Sequence, residues 1–144
     1  MTALLYLIGA LRNPQGSVVG SKLRQLGFDV FDDWYSPGPE ADLFWQRHQE
    51  AKGVGYKEAL YSHFAQHIWE FDKHYLDRAD LGVMLHPVGR SAHIELGYLA
   101  GKGTPTFILF DKEPEKWDIM ARFATNIYFS FEDMVEGIIG YALE

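Results

Sequence analysis

Glu95 is the residue around which any chemistry in this chain has to be built. In the run Gly89-Arg90-Ser91-Ala92-His93-Ile94-Glu95-Leu96-Gly97-Tyr98-Leu99-Ala100-Gly101 it is the only charged side chain between Arg90 and Lys102. Read as a helix, its neighbours three and four positions away are Ser91, Ala92, Tyr98 and Leu99, so it has no solvated charged face to join. A carboxylate among apolar residues costs free energy unless it is paired, hydrogen-bonded or kept for chemistry. Two arginines add anion chemistry. Arg12 follows the first apolar run within Gly9-Ala10-Leu11-Arg12-Asn13, and Arg90 precedes Glu95 within His86-Pro87-Val88-Gly89-Arg90-Ser91. Small residues beside a guanidinium, with backbone N–H groups at the following helix start, suit a phosphorylated or hydroxylated ligand.

The elements that must position these groups alternate. Leu4-Leu5-Tyr6-Leu7-Ile8 is a strand-like run ended by Gly9, followed by a helical segment from Val18 to Leu26 closed by Gly27, then Phe28-Asp29-Val30-Phe31. Leu81 to Leu85 and Thr106 to Phe110 repeat the buried-strand pattern around the helix carrying Glu95, and Gly103 and Pro105 stop that helix. Asn126 to Phe129 makes a fifth strand, and a last helix runs from near Phe131 to about Leu143 with Ser130 as its N-cap. Asp32 to Gly55, rich in Pro, Gly, charge and aromatics, reads as a long loop with one helical turn. A long helix from Tyr56 to Arg78 follows, with Phe64, Ile68, Phe71 and Tyr75 as its core stripe. The expected fold is one α/β domain over residues 1–144, a three-layer sandwich with a mostly parallel five-stranded sheet of flavodoxin or Rossmann type.

In such sheets ligands settle outside the carboxyl ends of the strands where strand order reverses, here between the first and third strands. Asp80 opens the third strand at the opposite end and reads as structural. Asp72 stands eight residues earlier, about 12 Å up the helix axis, which brings it level with the carboxyl ends.

Composition narrows the partners. With 13 basic against 20 acidic residues the net charge is −7, which disfavours a polynucleotide partner but leaves room for one small phosphate. The chain has no cysteine, so disulfides, thiolate metal sites and cysteine nucleophiles are all excluded. It shows neither a signal-peptide pattern nor a membrane-length apolar run, and reads as cytoplasmic. His63 and His67 share a helix face but lack a third ligand, so no metal is expected, and the chemistry needs no cofactor. The 10 Phe, 8 Tyr and 4 Trp exceed what a core this size absorbs and point to an aromatic pocket, a subunit interface, or both.

In order along the chain, these residues resemble the nucleoside 2-deoxyribosyltransferase superfamily, including its branch of 5′-monophosphate N-glycosidases. Tyr6-Leu7-Ile8-Gly9-Ala10-Leu11-Arg12 is similar to the family's first strand and loop, and Ser91-Ala92-His93-Ile94-Glu95-Leu96-Gly97-Tyr98 to its most specific segment. The resemblance implies Glu95 as nucleophile, with Tyr6 and Asp72 completing the catalytic group. It further implies Gly9, Arg12, Gly89, Arg90, Ser91 and His93 as substrate-binding positions, and Asn126 as a residue given to the neighbouring subunit's site in a dimer or larger homo-oligomer. One departure is informative. The family's transferases carry a second aspartate six positions before the nucleophile, where this chain has Gly89, and that favours a 5′-phosphate over a plain 5′-hydroxyl.

The implied reaction is attack by Glu95 on the anomeric carbon of a (deoxy)ribosyl group, loss of the nucleobase, and resolution of the glycosyl ester by water or a second base. A helix start, Arg90 and a hydrogen bond from Tyr6 are expected to favour the ionised carboxylate. Asp72 would serve as acid to the leaving base or hold the sugar hydroxyls, and Trp34, Tyr35 and Trp45 each suit stacking on the base or, equally, a place in the core or an interface. Two other readings stay open: a non-catalytic nucleotide-binding module on the same scaffold, and a glycohydrolase of NAD type.

Overall fold

Among residues 2–142, which the computed structural model describes, five short runs pair as parallel strands: β1 (Leu4–Ile8), β2 (Asp29–Phe31), β3 (Leu81–Leu85), β4 (Thr106–Leu109) and β5 (Asn126–Tyr128). Their order is β2-β1-β3-β4-β5, so the direction of winding reverses between β1 and β3, as expected. In register, Tyr6 of β1 lies beside Phe31 of β2 on one side and Gly82 of β3 on the other.

Alternation along the strands sends successive side chains to opposite faces and creates two cores. On one face Leu5, Leu7, Val83, Phe107 and Leu109 pack with Val19, Leu23, Met134 and Ile138. The last four belong to helices α1 (Gln15–Gln25) and α6 (Phe131–Ala142). On the other face Tyr6, Ile8, Phe31, Met84 and Ile108 pack with Leu76, Ala92, Leu96 and Leu99. These come from α4 (His63–Arg78) and α5 (Arg90–Gly101), completing a three-layer α/β sandwich. A Cβ built on Gly82 would stand 2.5 Å from Leu99 Cδ1, so this glycine lets α5 lie directly on β3.

The structure corrects the sequence reading in several places. The first helix begins at Gln15 rather than Val18, because Asn13 Oδ1 accepts a hydrogen bond from the Gln15 N–H at 3.0 Å and starts the turn earlier. The expected long loop after β2 contains an 11-residue helix, α2 (Ala41–Ala51), of which Gln49 alone is buried. The expected helix from Tyr56 to Arg78 is two helices, α3 (Tyr56–Ala59) and α4, separated where Ser62 Oγ accepts from the Ala65 N–H at 3.3 Å and caps the second. The apolar stripe of α4 is core only in part: Tyr75 stacks on Phe31 at 4.1 Å and packs against the core, whereas Phe71, edge-on to the same ring, and Phe64 are 39% and 51% exposed.

Asp80 sits at the amino end of the sheet, where its Oδ2 accepts from the Leu4 N–H at 2.8 Å. Ser130 Oγ accepts from the Asp133 N–H at 3.2 Å at the start of α6, and Leu143 lies outside the described residues. Among the described residues no helix is long and apolar enough to cross a membrane.

Candidate active site

Three of the predicted side chains converge where β1, α4 and α5 meet. Tyr6 is wholly buried in the middle of β1, its ring 5.0 Å from that of Phe31. Glu95 lies one helical turn from the buried residues Ala92 and Leu99, on the rim of the face that α5 turns to the sheet. The Tyr6 hydroxyl donates to Glu95 Oε2 at 2.5 Å, a charge-assisted length. Asp72 of α4 completes the group: its negative charge is near enough to raise the pKa of both Glu95 and Tyr6.

Burial dominates the electrostatics. It pushes Glu95 to about 7, the Tyr6 hydrogen bond opposing and the Asp72 charge adding to the rise. Burial likewise raises Asp72 to about 6, and Asp72 Oδ1 is buried without a hydrogen-bond partner among the described residues. Tyr6 is raised far above its ordinary value, first by burial and then by the two carboxylates, so it remains a protonated donor. The sequence-based expectation that Glu95 would be held ionised is thus only half met, since desolvation outweighs the tyrosine and the helix start. Two half-buried carboxyls raised to about 6 and about 7 hold about one proton near neutrality, the setting in which one acts as base or nucleophile and the other as acid.

The loops at the carboxyl ends of β1 and β3 are tied together by a residue that the sequence reading left without a role. Asn13 is buried; its Nδ2 donates to the Leu85 carbonyl at 3.4 Å, and its own carbonyl accepts from the Tyr35 hydroxyl at 3.1 Å. The only sequence signal for this was an asparagine directly before the Pro14 that starts α1. Gly9 abuts Trp34, whose Nε1 donates to the Leu7 carbonyl at 2.6 Å; a Cβ on Gly9 would stand 3.3 Å from the indole. Trp34 and Tyr35 are therefore committed to shaping the loop, while the Trp45 indole N–H is buried without a partner among the described residues.

The other predicted positions divide. Gly89 is the N-cap of α5 in an extended conformation, and Arg90 and Ser91 follow it, exposed and without side-chain partners among the described residues. Arg12 is engaged: its guanidinium meets Asp42 at 2.9 Å and Glu40 at 3.8 Å. His93 faces away from Glu95, its Nδ1 donating to the Gly89 carbonyl at 2.9 Å. Asn126 pairs in register with Phe107, which puts it on the α1/α6 face, where its Nδ2 donates to the Tyr128 hydroxyl at 3.3 Å. Within one chain, then, Asn126 is on the far side of the sheet from Tyr6 and Glu95.

A cleft of about 810 Å³ opens on the flank of α5 opposite Glu95, lined by His86, His93, Leu96, Phe110, Phe123 and Phe129 among others. None of Tyr6, Asp72 or Glu95 lines it. Among the described residues no three His, Asp or Glu side chains gather as metal ligands.

No protein-family profile matches the sequence, and no curated protein matches it either. Its three-dimensional structure does find a likeness: a 2-deoxyribosyltransferase from the psychrotolerant bacterium Bacillus psychrosaccharolyticus, at TM-score 0.59 and 20% identity, covering 93% of this chain and 90% of that one. The fold is that of a 2-deoxyribosyltransferase. At this identity the likeness speaks for the fold, and the chemistry of the site has to be argued from this chain's own residues.

Proposed function

We propose that this chain cleaves or transfers the N-glycosidic bond of a (deoxy)nucleoside or its 5′-monophosphate, with Glu95 as nucleophile. The observation that carries the reading is the Tyr6–Glu95 hydrogen bond, with Asp72 beside it, at the reversal point of a parallel sheet. The similar solved structure is a 2-deoxyribosyltransferase described as a biocatalyst for nucleoside synthesis, which favours a sugar–base bond as the target.

In the first half-reaction a Glu95 oxygen bonds to the anomeric carbon as the carbon–nitrogen bond breaks. The electron pair leaves with the base, which takes a proton from Asp72. Tyr6 donates to Glu95 and opposes the burial that holds it at about 7, above Asp72 at about 6, so the reactive arrangement, Glu95 ionised and Asp72 protonated, is the less populated placement of the shared proton. In the second half-reaction Asp72 accepts a proton from the incoming water or base as it attacks the anomeric carbon, and the ester carbon–oxygen bond breaks to return Glu95. Water gives hydrolysis and a second base gives transfer. Gly9, Gly89, Arg90 and Ser91 form the rim for the 5′ end of the sugar, with Arg12 at its edge.

Chromatography of a deoxynucleoside and its monophosphate incubated with the protein, with and without a second free base, tests the reading. Base release or exchange supports it; neither, from any common nucleoside or nucleotide, overturns it. Oligomerisation belongs to the same reading: Trp117 and Phe123 are 78% and 69% exposed in one chain, and Asn126 can serve a site only across a subunit boundary. Sedimentation as a fully active monomer would contradict that part.

A further inference from the structure

We propose that Asp42 is a specificity-determining residue that competes with a substrate 5′-phosphate for Arg12; this rests on the reading above. The Asp42 carboxylate meets Arg12 in a two-pronged contact, Nη2 to Oδ1 at 2.9 Å and Nη1 to Oδ2 at 3.5 Å. Its Oδ1 also accepts from the Leu43 N–H at 2.9 Å, which pins the carboxylate at the start of α2. Glu40 adds a second negative charge, 3.8 Å from the same guanidinium.

A planar guanidinium holding two oxygens of one anion is the arrangement that also grips phosphate, so Asp42 occupies the position a phosphate needs. Arg12 and Asp42 are 55% and 57% exposed, and a pair so open to water is weak and screened by salt. A phosphate carrying close to two negative charges can displace it, at a cost. An unphosphorylated nucleoside enters with the pair intact. A monophosphate must dislodge Asp42 and then lie beside it and Glu40, leaving Arg90 as the cation at the rim without an ion pair among the described residues. Asp42 therefore sets the chain's discrimination against phosphorylated substrates, and α2, which the sequence presents as a long loop with one helical turn, is the element that carries it.

The test is the ratio of kcat/KM for a deoxynucleoside 5′-monophosphate to that for the deoxynucleoside. It is measured for the wild type, Asp42→Asn, Asp42→Glu, and Asp42→Asn combined with Arg12→Ala. Asp42→Asn should raise the ratio about five- to tenfold, the scale of one exposed ion pair plus one removed repulsion. Asp42→Glu should keep the ratio near wild type, and Arg12→Ala should erase the gain. An unchanged ratio in Asp42→Asn, or a gain that survives without Arg12, overturns the proposal while base release itself stands. No base release by the wild type from either substrate overturns the functional reading, and this proposal falls with it.

Discussion

Tyr6 and Glu95, 89 positions apart in the chain, meet in a 2.5 Å hydrogen bond in which the tyrosine donates and the carboxylate accepts. The bond opposes the desolvation that drives Glu95 up to about 7, so Tyr6→Phe should push that group higher still. Hydrogen bonds to ionised groups are worth about 1.5–3 kcal/mol, which sets an expected loss of roughly 10- to 100-fold in kcat/KM at pH 7. The acid limb of the pH–rate profile should also move to higher pH. A uniform loss with the limb unmoved would mean the tyrosine is only structural.

Asp72 and Glu95 should titrate as a pair. With groups at about 6 and about 7, kcat/KM should trace a narrow bell whose maximum lies between those values, where the pair holds one proton. In Asp72→Asn the alkaline limb should vanish, because no second carboxyl remains to lose a proton. The remaining limb should lie below pH 7, because the neighbouring negative charge that raised Glu95 is gone. Persistence of both limbs in the variant would show that another group supplies the acid.

Glu95 should cost the fold stability at neutral pH. Its folded pKa of about 7 lies above the ordinary glutamate value of 4.5, so between those pH values the native state binds more protons than the unfolded one and stability falls as pH rises. The contribution is about 3 kcal/mol once the carboxylate is fully ionised. Glu95→Gln should therefore raise the thermal midpoint at pH 8 by about 10 °C and leave it nearly unchanged at pH 4, while abolishing turnover. Calorimetry at the two pH values checks this; equal shifts at both would refute it.

Gly82→Ala tests how closely α5 is seated. The added Cβ would lie 2.5 Å from the end of the fully buried Leu99 side chain, in a core with little room to yield. The expected cost is about 1–3 kcal/mol, measurable by urea unfolding, with kcat/KM reduced because α5 also carries Glu95. Wild-type stability in this variant would mean that the helix shifts freely.

Much of this architecture was legible from the chain. Leu4 to Ile8 and Leu81 to Leu85 are short apolar runs bounded by turns, and a central parallel strand buried on both faces leaves that imprint. Glu95 stood out because nothing charged surrounds it, and Asp72 because helix rise alone places it level with the strand ends. α2 was not legible: Asp42, Phe44, Trp45, Arg47 and His48 form no apolar stripe, since the helix buries only Gln49. The break before α4 carried a signal, Ser62 ahead of His63, but the helical periodicity running through it masked the cap. Arg12 read as an open anion site because its partner Asp42 is 30 positions away, a pairing that no local pattern encodes.

The most direct measurement is the mass of the protein quenched during reaction with a 2′-deoxynucleoside, followed by peptide mapping. The account predicts a deoxyribosyl group bound to the peptide containing Glu95 in the wild type, with neither adduct nor base release in Glu95→Gln. Base release by Glu95→Gln at the wild-type rate, or an adduct mapped to a different carboxylate, would contradict it.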